Sequence, residues 1–332
     1  MSRRVAAASR TARAAGRTLA AGFAVWAALG LAPATAAPTA WITNQADHSV
    51  SVIDLASRRT VATVPVDKSP AGVATVGAVG KVFVTAPDSN AVSVIDMRTH
   101  QMVASLPAGG GAVGIAASPD GRRVYVADWY GQHLLGFDTA DHREVLRVPL
   151  GRAPAGVAVA ADGRTVYVAE RDDNRVAAVD VASGAVRARV AVGEHPFALL
   201  VDAPRGRLYA LNVVSNDVTV IDTRTDRAVG RVPVGHAPYG AALADGGRRL
   251  YVTNQHDDSV SVVDPESLQL LQTLPGFGYP EGIAASGDRV LVVNWMDENV
   301  VVLEAATGRR LGTIETGRNP RGFGAFIGEP AQ

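Results

Sequence analysis

Residues 251–264 read Tyr-Val-Thr-Asn-Gln-His-Asp-Asp-Ser-Val-Ser-Val-Val-Asp. Two β-rich runs flank a polar turn, and an aspartate closes the second, which is the pattern of two paired strands. The closing residue recurs at Asp54, Asp96, Asp138, Asp180, Asp222 and Asp264, a spacing of 42, and Glu304 takes the place forty residues later. An aromatic column keeps the same beat at Trp41, Phe83, Tyr125, Tyr167, Tyr209 and Tyr251, followed by Leu291. A third column is a Pro-x-Gly step at Pro70, Pro154, Pro238, Pro280 and Pro320, degraded to Ala112-Val-Gly114 and Pro196-Phe-Ala198. A fixed period in the low forties that holds several short strands predicts an all-β fold, a β-propeller.

Each copy parses into four strands. After Pro154, Gly156–Ala160 is small and apolar, suited to a crowded innermost strand, and Asp162-Gly163 is a turn. Thr165–Ala169 and Arg175–Asp180 form the middle strands, and Val186–Val192 alternates apolar and charged residues as an outer strand does. The repeat begins at a second strand, Ala40–Asn44, and ends on a lone innermost one, Pro320–Ile327. Joined, these ends complete one blade. With six full copies starting near 70, 112, 154, 196, 238 and 280, the reading is a seven-bladed propeller over residues 38–332. Pairing the two ends removes the exposed sheet edges.

Residues 1–37 read as a secretory signal: Arg3, Arg4, Arg10, Arg13 and Arg17, an apolar stretch from Leu19 to Leu31, then Ala34-Thr35-Ala36. The apolar stretch is short for a membrane span. The expectation is therefore an exported protein, periplasmic or secreted, with no transmembrane segment after cleavage. The chain has 32 basic and 32 acidic residues; the five signal arginines leave 27 against 32, a net charge of −5. That balance exerts no general pull on phosphate backbones. Cysteine is absent, which excludes disulfides, thiolate nucleophiles and covalent c-type haem attachment.

The stretch Tyr251–Asn254 with Ser259–Asp264, and its near copy Ala40–Asn44 with Ser49–Asp54, resembles the YVTN-family β-propeller repeat. The resemblance runs over essentially all of residues 38–332 and implies the propeller fold. It implies several roles: exported propellers of unassigned role, one of which binds single-stranded DNA, propeller subunits of amine dehydrogenases, surface-layer modules, and sugar-acid lactonases. No catalytic motif of these relatives has matching residues here.

Repeated columns hold the fold; the candidate site lies where copies disagree. In a propeller the turns joining strand four to the next strand one, and strand two to strand three, share the face on which the channel opens. The residue inside the Pro-x-Gly step reads Ala71, Val113, Ala155, Phe197, Tyr239, Glu281, Arg321, three small side chains followed by four bulky or charged ones. His195 and Tyr279 precede the proline in two copies. The residue ending strand two varies too: Asn44, Ala86, Asp128, Glu170, Asn212, Asn254, Asn294. Just beyond it stand Trp129, Tyr130, Arg171, His256 and Trp295. Aromatics on loops, with a few polar groups converging, make a ligand site. The predicted site is His195, Phe197, Tyr239, Tyr279, Glu281, Arg321, Asp128, Glu170, Asn212, Asn254, Asn294, Trp129 and Trp295.

No HExxH spacing or strand–turn–helix GxSxG elbow occurs, and no helical pattern follows the glycines of Ala108–Gly111. The residues therefore favour a non-catalytic binding module that takes a small polar ligand or a partner protein's loop, with no metal and no cofactor. The alternatives are a lactonase-like hydrolase, with Glu170, Glu281, Asp128 and His195 as candidate base residues, or an oxidoreductase propeller subunit. Nucleic-acid binding comes third, because Glu194, Asp297 and Glu298 offset the basic residues at the same face. Arg321→Ala and Tyr239→Ala are expected to abolish ligand-induced stabilisation while leaving melting nearly unchanged.

Overall fold

Seven four-stranded antiparallel sheets surround a central channel in the computed structural model, which describes residues 38–329. The proposed signal segment lies outside the described residues. Blade 1 is the composite: Thr39–Asn44, Ser49–Asp54 and Arg59–Pro65, with Ile327–Gly328 as its innermost strand. Blades 2 to 7 run continuously over 72–107, 112–149, 154–191, 196–233, 238–275 and 280–315. Seven blades, and closure from both ends of the repeat, agree with the sequence reading.

The repeated columns hold the blades for simple physical reasons. Trp41, Phe83, Tyr125, Tyr167, Tyr209, Tyr251 and Leu291 are each at most 1% exposed and pack between neighbouring sheets. Their polar tips find partners: Tyr251 Oη donates to Ala305 O of the next blade at 2.9 Å. The aspartates cap the turn after the third strand. Asp96 Oδ1 accepts from the backbone N–H of Thr99 at 2.7 Å, and Asp222 Oδ1 from Arg224 at 2.9 Å. Those bonds hold the carboxyls below their ordinary range, Asp222 at about 2, where a bond from the Arg224 side chain leads. The Pro-x-Gly glycines permit close approach between blades. A Cβ at Gly156 would stand 2.1 Å from the carbonyl oxygen of Phe197.

The last strand departs from the expectation. Pro320–Ile327 is not one innermost strand. Pro320 bridges Asn44 and Ile327 pairs with Ala40, so seven steps on one side face four on the other. The excess bows into the channel. There Phe323–Ala325 pairs in parallel with Gly72–Ala74, as a fifth strand on blade 2. Gly322 (φ 63°) and Gly324 (φ 108°) make the two bends.

Candidate functional site

The central channel is a cavity of about 470 Å³, walled by the innermost strands of blades 3 to 7 and by Phe323–Ala325. At the Pro-x-Gly end the blade-specific side chains converge. Phe197 and Tyr239 stack at 4.4 Å between centroids and 27° between planes. Phe323 meets them at 5.0 and 6.0 Å. These three rings are nearly buried. Half-buried Trp129 extends the group, 6.4 Å from Phe197, with the Arg171 guanidinium 5.5 Å over its ring.

Against this cluster lies an ion pair between Glu281 and Arg321, 3.6 Å from Oε2 to Nε. Glu281 is 1% exposed; Gln255 Nε2 donates to its Oε1 at 3.0 Å, and Oε2 has no hydrogen-bond partner. Arg321 donates through Nε to Gln45 Oε1 at 3.0 Å and through Nη1 to Tyr239 Oη at 3.3 Å. Burial pushes the Glu281 carboxyl up to about 7, against the opposing pull of Arg321 and the Gln255 bond. Burial likewise drives the Tyr239 phenol well above its ordinary value, helped by the Glu281 charge. A second group sits beside the first: Tyr279 lies 5.6 Å from Trp295 and 5.7 Å from His256.

Thus Phe197, Tyr239, Glu281, Arg321 and Trp129 come together, and Tyr279 and Trp295 form a neighbouring group. The other six predicted residues do not join these two groups, and their contacts lie in turns or within their own blades. His195 is a turn residue at φ 54°, its N–H donating to Asn174 Oδ1 at 2.9 Å. Asn212, Asn254 and Asn294 are buried and donate within their own blades, to Asp217 and Thr219, to Ser259 and Ser261, and to Asn299. Asp128 accepts from the N–H groups of Gly110 and Gly131 at 2.9 and 3.0 Å. Glu170 accepts from Gly151 N at 2.6 Å and pairs with Arg175 and Arg189.

That column partly follows the residue seven positions on. Three of its four asparagines donate to a hydroxyl there (Asn44 to Ser51, Asn212 to Thr219, Asn254 to Ser261), whereas Asn294 has Val301 at that position and donates to Asn299. An acid stands where that position is Leu135 or Ala177. In blade 2, Ala86 supplies nothing, and Asp67 from the preceding loop accepts from Ser93 and Ser105, both at 2.7 Å. The expectation that Tyr239→Ala leaves melting unchanged also fails, because its ring is buried in the stack.

Sequence reading missed Phe323, Gln45 and Gln255. The glutamines share a 42-residue step with Trp129 and Arg171. Phe323 was signalled by the Gly-Phe-Gly excess after Arg321. Among the described residues no group of three or more His, Asp or Glu side chains is placed to hold a metal, and no helix is long and apolar enough to cross a membrane.

Solved structures with the same architecture include a hydrazine synthase chain from Kuenenia stuttgartiensis, 22% identical, with a TM-score of 0.71 over 80% of this chain and 92% of that one. A functionally unknown protein from Desulfotomaculum acetoxidans is 13% identical, with a TM-score of 0.74 over 88% and 99%. The dihydro-heme d1 dehydrogenase NirN, in complex with DHE, is 18% identical, with a TM-score of 0.63 over 86% and 74%. At these identities the likeness is one of fold. No curated protein matches the chain. The family described as YNCE-like beta-propeller matches residues 75–164 and 146–330, most of the repeat, and the chain belongs to that family.

Proposed function

We propose that this is an exported, non-catalytic binding propeller of the YVTN type, which holds a small polar ligand or a partner protein's loop at the Pro-x-Gly face. The supporting observation is the Glu281–Arg321 pair. A buried carboxylate oxygen without a partner lies beside a guanidinium whose side chain is 25% exposed, at the end of the channel where the aromatic rings converge. Fixed polar groups set in an apolar wall orient a ligand. Export rests on the charged, apolar and small-residue order of residues 1–36.

The test is a thermal-shift screen of the mature protein against divalent metals, sugars, quinone cofactors, oligonucleotides and small carboxylates, repeated on Arg321→Ala. A compound that stabilises the protein and loses its effect in the variant is the expected result. Ligands that bind equally well to both proteins would move the site away from the mouth. N-terminal sequencing of the protein recovered from outside the cytoplasm tests cleavage before Pro38.

A further inference from the structure

The Glu281–Arg321 pair is left open on both sides. Glu281 Oε2 is buried with no hydrogen-bond partner, and at 3.6 Å the nearest guanidinium nitrogen makes no hydrogen bond to it. Arg321 spends Nε on Gln45 and Nη1 on Tyr239, and Nη2 donates to no described residue. The guanidinium therefore has an inner carboxyl beside Nε, keeps donors on Nη1 and Nη2 that no described residue takes, and has a side chain that is 25% exposed. A planar guanidinium edge matches the paired oxygens of a carboxylate or a phosphate, and an apolar wall beside it favours the anion that carries an organic body. The neighbouring Tyr239, Phe197 and Phe323 rings supply an apolar wall for an organic body. A cationic ligand would meet the like charge of Arg321 first.

We propose that the mouth is a proton-coupled site for small organic carboxylates. The incoming carboxylate takes the free Nη1 and Nη2 donors of Arg321, and Glu281, losing its share of that charge, accepts one solvent proton on Oε2. This deepens the mouth reading above and rests on it. The burial that pushes the Glu281 carboxyl up to about 7 puts the exchange within the neutral range. The groups facing Glu281 are Arg321 from the C-terminal segment, Tyr239 from blade 6, Tyr279 from its own blade entry, and the uncharged Gln255. Both phenols are raised, chiefly by burial, and stay neutral here. His256 stands one shell out, 3.4 Å from Tyr279 Oη.

The experiment is calorimetric titration of the mature protein with sodium benzoate at pH 6, 7 and 8, in buffers of differing ionisation enthalpy, with inorganic phosphate as the second probe. Benzoate affinity is expected to fall about tenfold from pH 6 to pH 8, with uptake of nearly one proton per site at pH 8. Glu281→Gln should bind benzoate with an affinity flat across that range, and His256→Gln should keep the wild-type dependence. Arg321→Lys should weaken binding at least about tenfold. A pH-independent wild type, a Glu281→Gln variant that keeps the slope, or phosphate binding as tightly as benzoate would each overturn the inference. If benzoate is inert while another screened ligand depends on Arg321, the carboxylate inference fails and the mouth reading stands. If no ligand depends on Arg321, both fail.

Discussion

Replacing Glu281 with glutamine should make the protein more stable at neutral and alkaline pH, and less so in mild acid. The carboxyl is nearly sealed from water, and burial raises it from an ordinary 4.5 to about 7. That value already includes the opposing attraction of Arg321 and the Gln255 bond. Because the folded carboxyl binds its proton more tightly than the unfolded one, its favourable contribution is complete below about pH 4.5. It is lost as pH rises through about 7. At about 1.4 kcal/mol per pH unit the loss across the window is about 3 kcal/mol. Glutamine has nearly the same shape and no charge to desolvate. Its advantage over the native protein should therefore grow from about 1 kcal/mol at pH 5 to about 3 kcal/mol at pH 8. For a domain of this size that is about 6 °C in melting temperature. Aspartates held low by turn bonds, such as Asp54 and Asp96, destabilise both proteins equally in acid and cancel in the difference. Melting of both proteins by tryptophan fluorescence at half-unit steps from pH 5 to 8 reads that difference directly. Two curves that run parallel over the whole range would refute the claim that a buried, underpartnered carboxyl sits at the mouth.

Gly324→Ala should cost about 2 kcal/mol or more, because φ is 108° and a Cβ would lie 2.5 Å from Val73 O. Gly80→Ala, at φ 62° with open space around it, should cost about 1 kcal/mol; equal losses on urea unfolding would contradict the bowed strand. Tyr239→Ala should cost about 3–5 kcal/mol by emptying the ring stack. Tyr239→Phe should cost about 1 kcal/mol by removing only the bond to Arg321, and thermal melts separate the two. Asp67→Gly should cost about 1–3 kcal/mol by stranding the buried Ser93 hydroxyl. Adding Ala86→Asn should recover much of that loss by rebuilding the Asn44–Ser51 arrangement, and a double-mutant cycle that shows simple additivity would disprove the exchange.

Period and strand order were open to reading in the chain because each blade repeats the same local chemistry: a capped turn, an inter-sheet ring, a glycine under the next blade's carbonyl. The composite blade followed from counting strands at the two ends. The site was only partly readable, since its partners lie far apart in sequence. Gln45 and Arg321 are 276 residues apart, and neither marks the other. The variation ending the second strands was misread for a related reason. Asp128 stands where Leu135 replaces the serine that Asn254 bonds, and turns to the N–H groups of Gly110 and Gly131 instead, a difference that shows only when partners across the strands are read together.

The same test bears on the strongest sequence signal for a site, the run of small residues followed by bulky ones around the ring. Ala155, Phe197, Tyr239 and Phe323 belong to one buried cluster, with Val113 packed against it. The bowed strand lies on blade 2, the side of the ring where the entries are Ala71, Val113 and Ala155, and its ring crosses to meet Phe197 and Tyr239. Small and large entries therefore complement each other around Phe323, and packing accounts for the aromatic half of the asymmetry. Packing does not account for Glu281 and Arg321. An apolar pair of similar volume would fill the same space without leaving a buried carboxylate oxygen unpaired, a loss of about 1–3 kcal/mol or more. The functional reading thus rests on the two charged residues, and the rings serve as the wall that holds them.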